Sequence, residues 1–156
     1  MIQLIIYCFV FFPLFQQDTV QLRFEDYPTK EIFQGTPKPV DLTGNSNAKL
    51  YRTVLREGAK KGPNFAGHFT IVIWGCGTST QAFAIVDAST GKVYFCPGLS
   101  FVSYADWYED DYGLHFRKDS YLLVANGHQN EDDPKGRLYY LWNGIELKLI
   151  KSIVIK

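Results

Sequence analysis

Few residues in this 156-residue chain combine types and spacing that suit chemistry. Cys76 sits in the glycine-flanked turn Gly75-Cys76-Gly77-Thr78-Ser79, with His68 before it and Asp87 after it. A thiol, a base and an orienting carboxylate make up a cysteine nucleophile, provided the base lies within hydrogen-bond reach. The run between His68 and Cys76 reads as one strand, which at ordinary strand rise places them about 25 Å apart. His68 therefore suits a second role, satisfying backbone groups in the Asn64 to Gly67 loop. Cys76 has an alternative of its own, a disulfide with Cys96. That bond closes a loop of about twenty residues and is worth on the order of 3 kcal/mol on a chain-entropy argument. In a simple meander, however, the two cysteines flank opposite sides of one strand, about 9 to 10 Å apart, past the roughly 7 Å limit between α-carbons. Both alternatives stay open on the sequence.

The second place is the loop around Asp106, Glu109, Asp110 and Asp111, which interleaves carboxylates with Trp107, Tyr108 and Tyr112. Two carboxylates across a cleft perform glycoside hydrolysis, and the aromatics suit stacking on sugar rings or on a partner protein. A solvated acidic loop with a packed aromatic edge is the plainer reading. The run Glu131-Asp132-Asp133 is likewise a solvated loop tip or a calcium site. His68, His115 and His128 show no shared ligand spacing, so no metal is expected. No glycine-rich phosphate loop lies between a strand and a helix, so no nucleotide cofactor is expected either.

Composition narrows the class. Sixteen basic residues balance sixteen acidic ones, which leaves no electrostatic footprint for nucleic acid or an anionic membrane surface. The length allows one domain. Hydrophobic residues make up 46% and aromatics 16% of the chain, enough for a core and weighted toward strands. Residues 2 to 15 read IQLIIYCFVFFPLF, the length of a signal-peptide apolar region and too short to span a bilayer. The expectation is a signal over residues 1–17, export to the periplasm or beyond, and a domain over 18–156 with no membrane span after cleavage.

The elements that must position these groups can be read in turn. Val20, Leu22 and Phe24 alternate as a short strand. Ser46 or Asn47 can cap a helix over residues 48 to 57, with Leu50, Tyr51, Val54 and Leu55 on one side and Gly58 as its C-terminal stop. Phe69 to Trp74 is apolar on both faces and reads as a central strand. Residues 81 to 87 and 92 to 96 flank a turn at Ala88-Ser89-Thr90-Gly91, which pairs Val86 with Val93 and Ile85 with Tyr94. Residues 114–116 and 121–125 form another hairpin. Asn143-Gly144 predicts a two-residue type I′ turn that sets Trp142 opposite Ile145 and Tyr140 opposite Leu147. The fold class is α+β: a predominantly antiparallel sheet built of hairpins, with one packed helix on its N-terminal side.

Residues 50 to 95 also carry a recognisable pattern: Tyr51-Arg52-Thr53, Leu55-Arg56, Gly58, then Gly62-Pro63-Asn64-Phe65-Ala66-Gly67-His68, Trp74-Gly75-Cys76-Gly77, and Asp87 with Thr90-Gly91-Lys92-Val93-Tyr94. It resembles a family of small exported bacterial proteins of uncharacterised function. The resemblance implies export and a β-rich fold and supplies no activity. The family commonly has a second cysteine four residues after the first. Thr80 stands there, so the local disulfide that the resemblance would imply cannot form. The functional expectation is an exported cell-envelope binding module without catalytic activity, engaging a protein or a carbohydrate. Asn64, His68, Trp107, Tyr108 and Tyr112 are its candidate contact residues. A small envelope hydrolase using Cys76 or the 106–111 carboxylates is the alternative.

Overall fold

The structure is a computed structural model and describes residues 21–99, 101–105, 107, 110–129 and 134–155. The expected signal, Tyr108, two carboxylates of the aromatic loop (Asp106 and Glu109) and the acidic run at 131–133 lie outside these residues. The α+β expectation holds. Two antiparallel sheets face each other. One is ordered β1 (Phe69–Gly75), β2 (Thr80–Asp87), β3 (Val93–Tyr94), with β4 (Phe101–Ser103) also on β2; the other runs β5 (Gly113–Phe116), β6 (Leu122–Gly127), β7 (Gly136–Trp142), β8 (Leu147–Val154). A bridge between Ser103 and His128 joins the sheets. Between them lies the main core of Phe65, Phe69, Ile71, Phe83, Ile85, Val102, Leu123, Ala125, Tyr140 and Trp142.

The hairpin at Asp87 forms as its pattern predicts, with Val86 against Val93 and Ile85 against Tyr94. Strand β1 is covered on both faces as expected: Phe69 and Ile71 enter the main core, while Val72 and Trp74 face the helix. It is not central, however. Among the described residues its only strand partner is β2. The Asn64 side chain closes the other edge, accepting from the Ile71 N–H at 2.7 Å and donating to the Ile71 carbonyl at 3.0 Å. An amide side chain thus takes the place of a strand and satisfies the groups that an open edge leaves unpaired.

The helix breaks in two, α1 (Ser46–Leu50) and α2 (Arg52–Ala59). Its cap is Asn45, whose side chain accepts from the Asn47 N–H, so the predicted cap at Ser46 or Asn47 is off by a residue or two. Leu55 and Ala59 are buried against β1 and β2 together with Ala48, whereas Leu50 is exposed. Gly58 does not stop the helix; it lets the helix approach the sheet. A Cβ there would lie 2.5 and 2.7 Å from the two γ-carbons of Val72. Alanine improves helix propensity by up to about 1 kcal/mol, but overpacking a buried valine costs about 1–3 kcal/mol. Gly58→Ala is expected to lower stability by about 1 kcal/mol net, read as a reduced urea midpoint at constant m-value.

Two further expectations are corrected. Of the strand expected through Val20, Leu22 and Phe24, Val20 lies outside the described residues, Leu22 is in no regular element and Phe24 opens a 3-10 turn over Phe24–Asp26. Leu22, Phe24 and Tyr27 pack on Leu122, Val124 and Tyr139 and cover the outer face of the second sheet. The alternation reflects one packed side, which a strand does not need to supply. At the C-terminus Trp142 pairs with Leu147 and Tyr140 with Leu149, so the turn is centred one residue later than the Asn143-Gly144 signal implies. The Asn143 side chain accepts from the N–H groups of Ile145 and Glu146 at 2.9 Å each. This Asx-type turn starts at Asn143 rather than containing it. Partners shift by two, so each side chain keeps its face until a bulge between Tyr139 and Tyr140 shifts the register again.

Candidate functional site

One end of the two-sheet stack carries a cleft of about 440 Å³. Strand ends from both sheets line it: His68 and Phe69 where β1 begins, Asp87 where β2 ends, Tyr94 at the end of β3, Tyr121 just before β6, and Trp142 and Asn143 where β7 turns. The β1–β2 register sets Phe69 opposite Asp87, and the Ala88 N–H donates to the His68 carbonyl at 2.9 Å. This pairing brings the His68 ring to 3.9 Å from the Asp87 carboxylate. The sheet-to-sheet packing adds the rest, with Trp142 edge-on to Phe69 and Tyr94 at centroid distances of 5.2 and 5.4 Å. Such edge-to-face contacts rigidify an aromatic wall.

Asp87 is a preorganised carboxylate. One oxygen accepts from the Ser89 N–H at 2.7 Å and the Ser89 hydroxyl at 2.6 Å, and the other from the Thr90 hydroxyl at 2.8 Å. Burial pushes its pKa up, but the hydrogen bonds from Ser89 and Thr90, with a smaller contribution from His68, outweigh it and hold the carboxyl below its ordinary value. A carboxyl with a depressed folded pKa stabilises the fold fully above its unfolded pKa, about 4. That contribution is lost as pH falls through the lower folded value. Asp87→Asn is expected to cost about 1 kcal/mol at neutral pH. The difference from wild type should close in acid, which urea titrations across pH 2 to 7 would measure. A gap that persists unchanged to the lowest pH would show that ionisation is not what stabilises the turn.

Of the predicted contact residues that are described, only His68 lines this cleft. Asn64 serves the edge of β1. Trp107 is buried, with its indole N–H donating to Asp111 at 3.1 Å. Asp111 also pairs with Arg137, and its carbonyl accepts from Asn126 and His115, so it braces the second sheet. Tyr112 is exposed and stacks on Tyr104 at 4.5 Å, away from the cleft lining. His115 is held by Asp111, and His128 bridges to Ser103. Among the described residues no group of three or more His, Cys, Asp or Glu is placed to hold a metal ion. Tyr94, Tyr121 and Asn143 were missed. Tyr94 left a signal through the hairpin that pairs it with Ile85, and Asn143 through its turn with Gly144, but neither signal pointed to a shared cleft. Tyr121 and Asn143 arrive from the other sheet.

Cys76 and Cys96 form no disulfide with each other. Cys76 is an exposed free thiol in the β1–β2 turn, and the Cys96 side chain is buried in the main core. β3 lies on the opposite side of β2 from β1, the meander that separates the two. Burial pushes the Cys96 thiol up to about 11. Cys76 and His68 occupy opposite ends of β1, so the cysteine–histidine constellation is not assembled. Native alkylation should modify Cys76 readily and Cys96 only after unfolding, as peptide-mapped mass spectrometry would show. A Cys76–Cys96 crosslinked peptide would contradict this arrangement.

No helix among the described residues is long and apolar enough to cross a membrane. No family model, curated protein or solved structure matches this chain.

Proposed function

We propose that this chain is an exported cell-envelope binding module whose ligand enters the cleft at the end of the two sheets. The apolar N-terminal run and the GPNFAGH, WGCG and TGKVY motifs support export and membership in the small exported family they resemble. One observation carries the binding reading. A cleft walled by Tyr94, Tyr121 and Trp142 holds a carboxylate fixed by three hydrogen bonds next to an accessible imidazole. Concave, mostly aromatic sites with a few fixed polar groups bind ligands. The exposed thiol stands at the far end of β1 and takes no part. The test is retention of solubilised envelope proteins and glycans on the immobilised full chain. Tyr121→Ala should lose retention and Cys76→Ala should keep it. Equal retention by Tyr121→Ala would sink the reading. Hydrolysis products that vanish with Cys76→Ala would replace it with the hydrolase.

A further inference from the structure

We infer that the ligand of this cleft is a neutral carbohydrate, bound through one pyranose ring; this deepens the binding reading above and rests on it. Charge is the first argument. Asp87 is held ionised, and the ammonium of Lys92, at the same turn, lies 4.8 Å from the centre of the Tyr94 ring. The two charges offset each other across one hairpin. An organic cation would meet an aromatic face that already carries an ammonium. An anion would meet the Asp87 carboxylate. A ligand without charge meets neither obstacle.

The second argument is the match of polar groups. A carboxylate has about four acceptor positions, and three donors from Ser89 and Thr90 already reach Asp87. One position is left for a hydroxyl. The His68 ring, 3.9 Å away and with 42% of its side chain exposed, offers a second partner that can donate or accept. Two adjacent polar partners of this kind suit two neighbouring hydroxyls of a sugar. Trp142 also lines the cleft, and its indole N–H is buried with no hydrogen-bond partner among the described residues.

The third argument is shape. The half-buried ring of Tyr121 lines the cleft. The negative face of an aromatic ring attracts the weakly positive C–H face of a pyranose. The cleft volume of about 440 Å³ lies within the range of small-ligand sites, roughly 300–1,000 Å³.

Saturation-transfer NMR on the full chain tests this, with methyl glucosides, methyl galactosides and N-acetylglucosamine as neutral probes and choline as the cationic one. At least one sugar should receive saturation. His68→Ala and Tyr121→Ala should each weaken that sugar at least tenfold, and Cys76→Ala should leave it unchanged. His68 is at the surface, so its variant separates lost contact from lost fold. Saturation of choline without any sugar overturns the carbohydrate class and leaves the binding site standing. The same holds if no probe binds while Tyr121→Ala abolishes retention of envelope protein and no glycan is retained, the ligand then being a protein. If no probe binds and retention ignores Tyr121→Ala, both readings fall.

Discussion

Trp142→Ala is expected to lower stability by about 3–5 kcal/mol, the range for deleting a large buried aromatic side chain. Trp142 is 2% exposed and stands where the two sheets meet. Its ring contacts Phe65, Phe69 and Tyr94 at centroid distances of 6.4, 5.2 and 5.4 Å. Truncation removes transfer free energy and leaves a cavity that neighbours from two rigid sheets cannot collapse into. Against a typical total of about 5–15 kcal/mol, such a loss is a large part of the stability. Trp142→Phe should cost much less, because it keeps the edge-to-face contacts and deletes an indole N–H that has no partner among the described residues. Urea midpoints of the two variants decide the matter. A small loss for Trp142→Ala would mean that the sheets hold together through other contacts, such as the Ser103–His128 bridge.

Gly67→Ala is expected to cost about 3 kcal/mol, although the residue is a glycine in a loop. Its φ is +83°, a region where a side chain costs about 1–2 kcal/mol. A Cβ there would also come within 2.3 Å of the Glu31 carbonyl oxygen, and a backbone obstacle cannot step aside as a side-chain end can. Overpacking of this kind adds about 1–3 kcal/mol. The loop is a brace between distant parts of the fold. The Gly67 N–H donates to the Lys118 carbonyl at 2.7 Å in the β5–β6 turn, and the Gly67 carbonyl accepts from the Phe33 N–H at 3.1 Å. Displacing it loosens the lead-in, the first sheet and the second sheet together. Gly44→Ala is the control: no atom lies within 4 Å of its added carbon, and its effect should stay within about 0.5 kcal/mol. Equal midpoints for the two variants would refute the brace.

Much of the local structure was legible because short-range patterns decide it. The β2–β3 register followed from Val86, Asp87, Lys92 and Val93 around a glycine-bearing turn, where few geometries are open. The two-faced burial of β1 followed from its unbroken apolar run. The helix was placed within a few residues, but its cap moved to Asn45 and Gly58 changed role. Capping depends on which of several adjacent polar side chains reaches the amide, and a glycine that ends a helix has the same letter as one that admits a sheet. The C-terminal turn failed for a related reason. Asn143 supports a type I′ turn with its backbone and an Asx turn with its side chain, and here the side chain prevailed.

The candidate site divides along the same line. His68 and Asp87 are joined by the antiparallel pairing of β1 with β2, a relation between neighbouring strands that the apolar pattern specifies. The sequence by itself determined the α+β class, the helix-on-sheet contact and the hairpin that carries Asp87, because periodicity and turn chemistry act over a few residues. The tertiary structure alone decided that Asn64 closes a strand edge, that Trp107 and Asp111 brace the second sheet, and that Tyr121 and Trp142 share a cleft with His68. Asn64 reaches only seven positions along the chain and Trp107 only four, but Asp111 with Arg137, and His68 with Tyr121 and Trp142, join residues tens of positions apart; what settles those is how two twisted sheets pack their apolar faces, which no local pattern records.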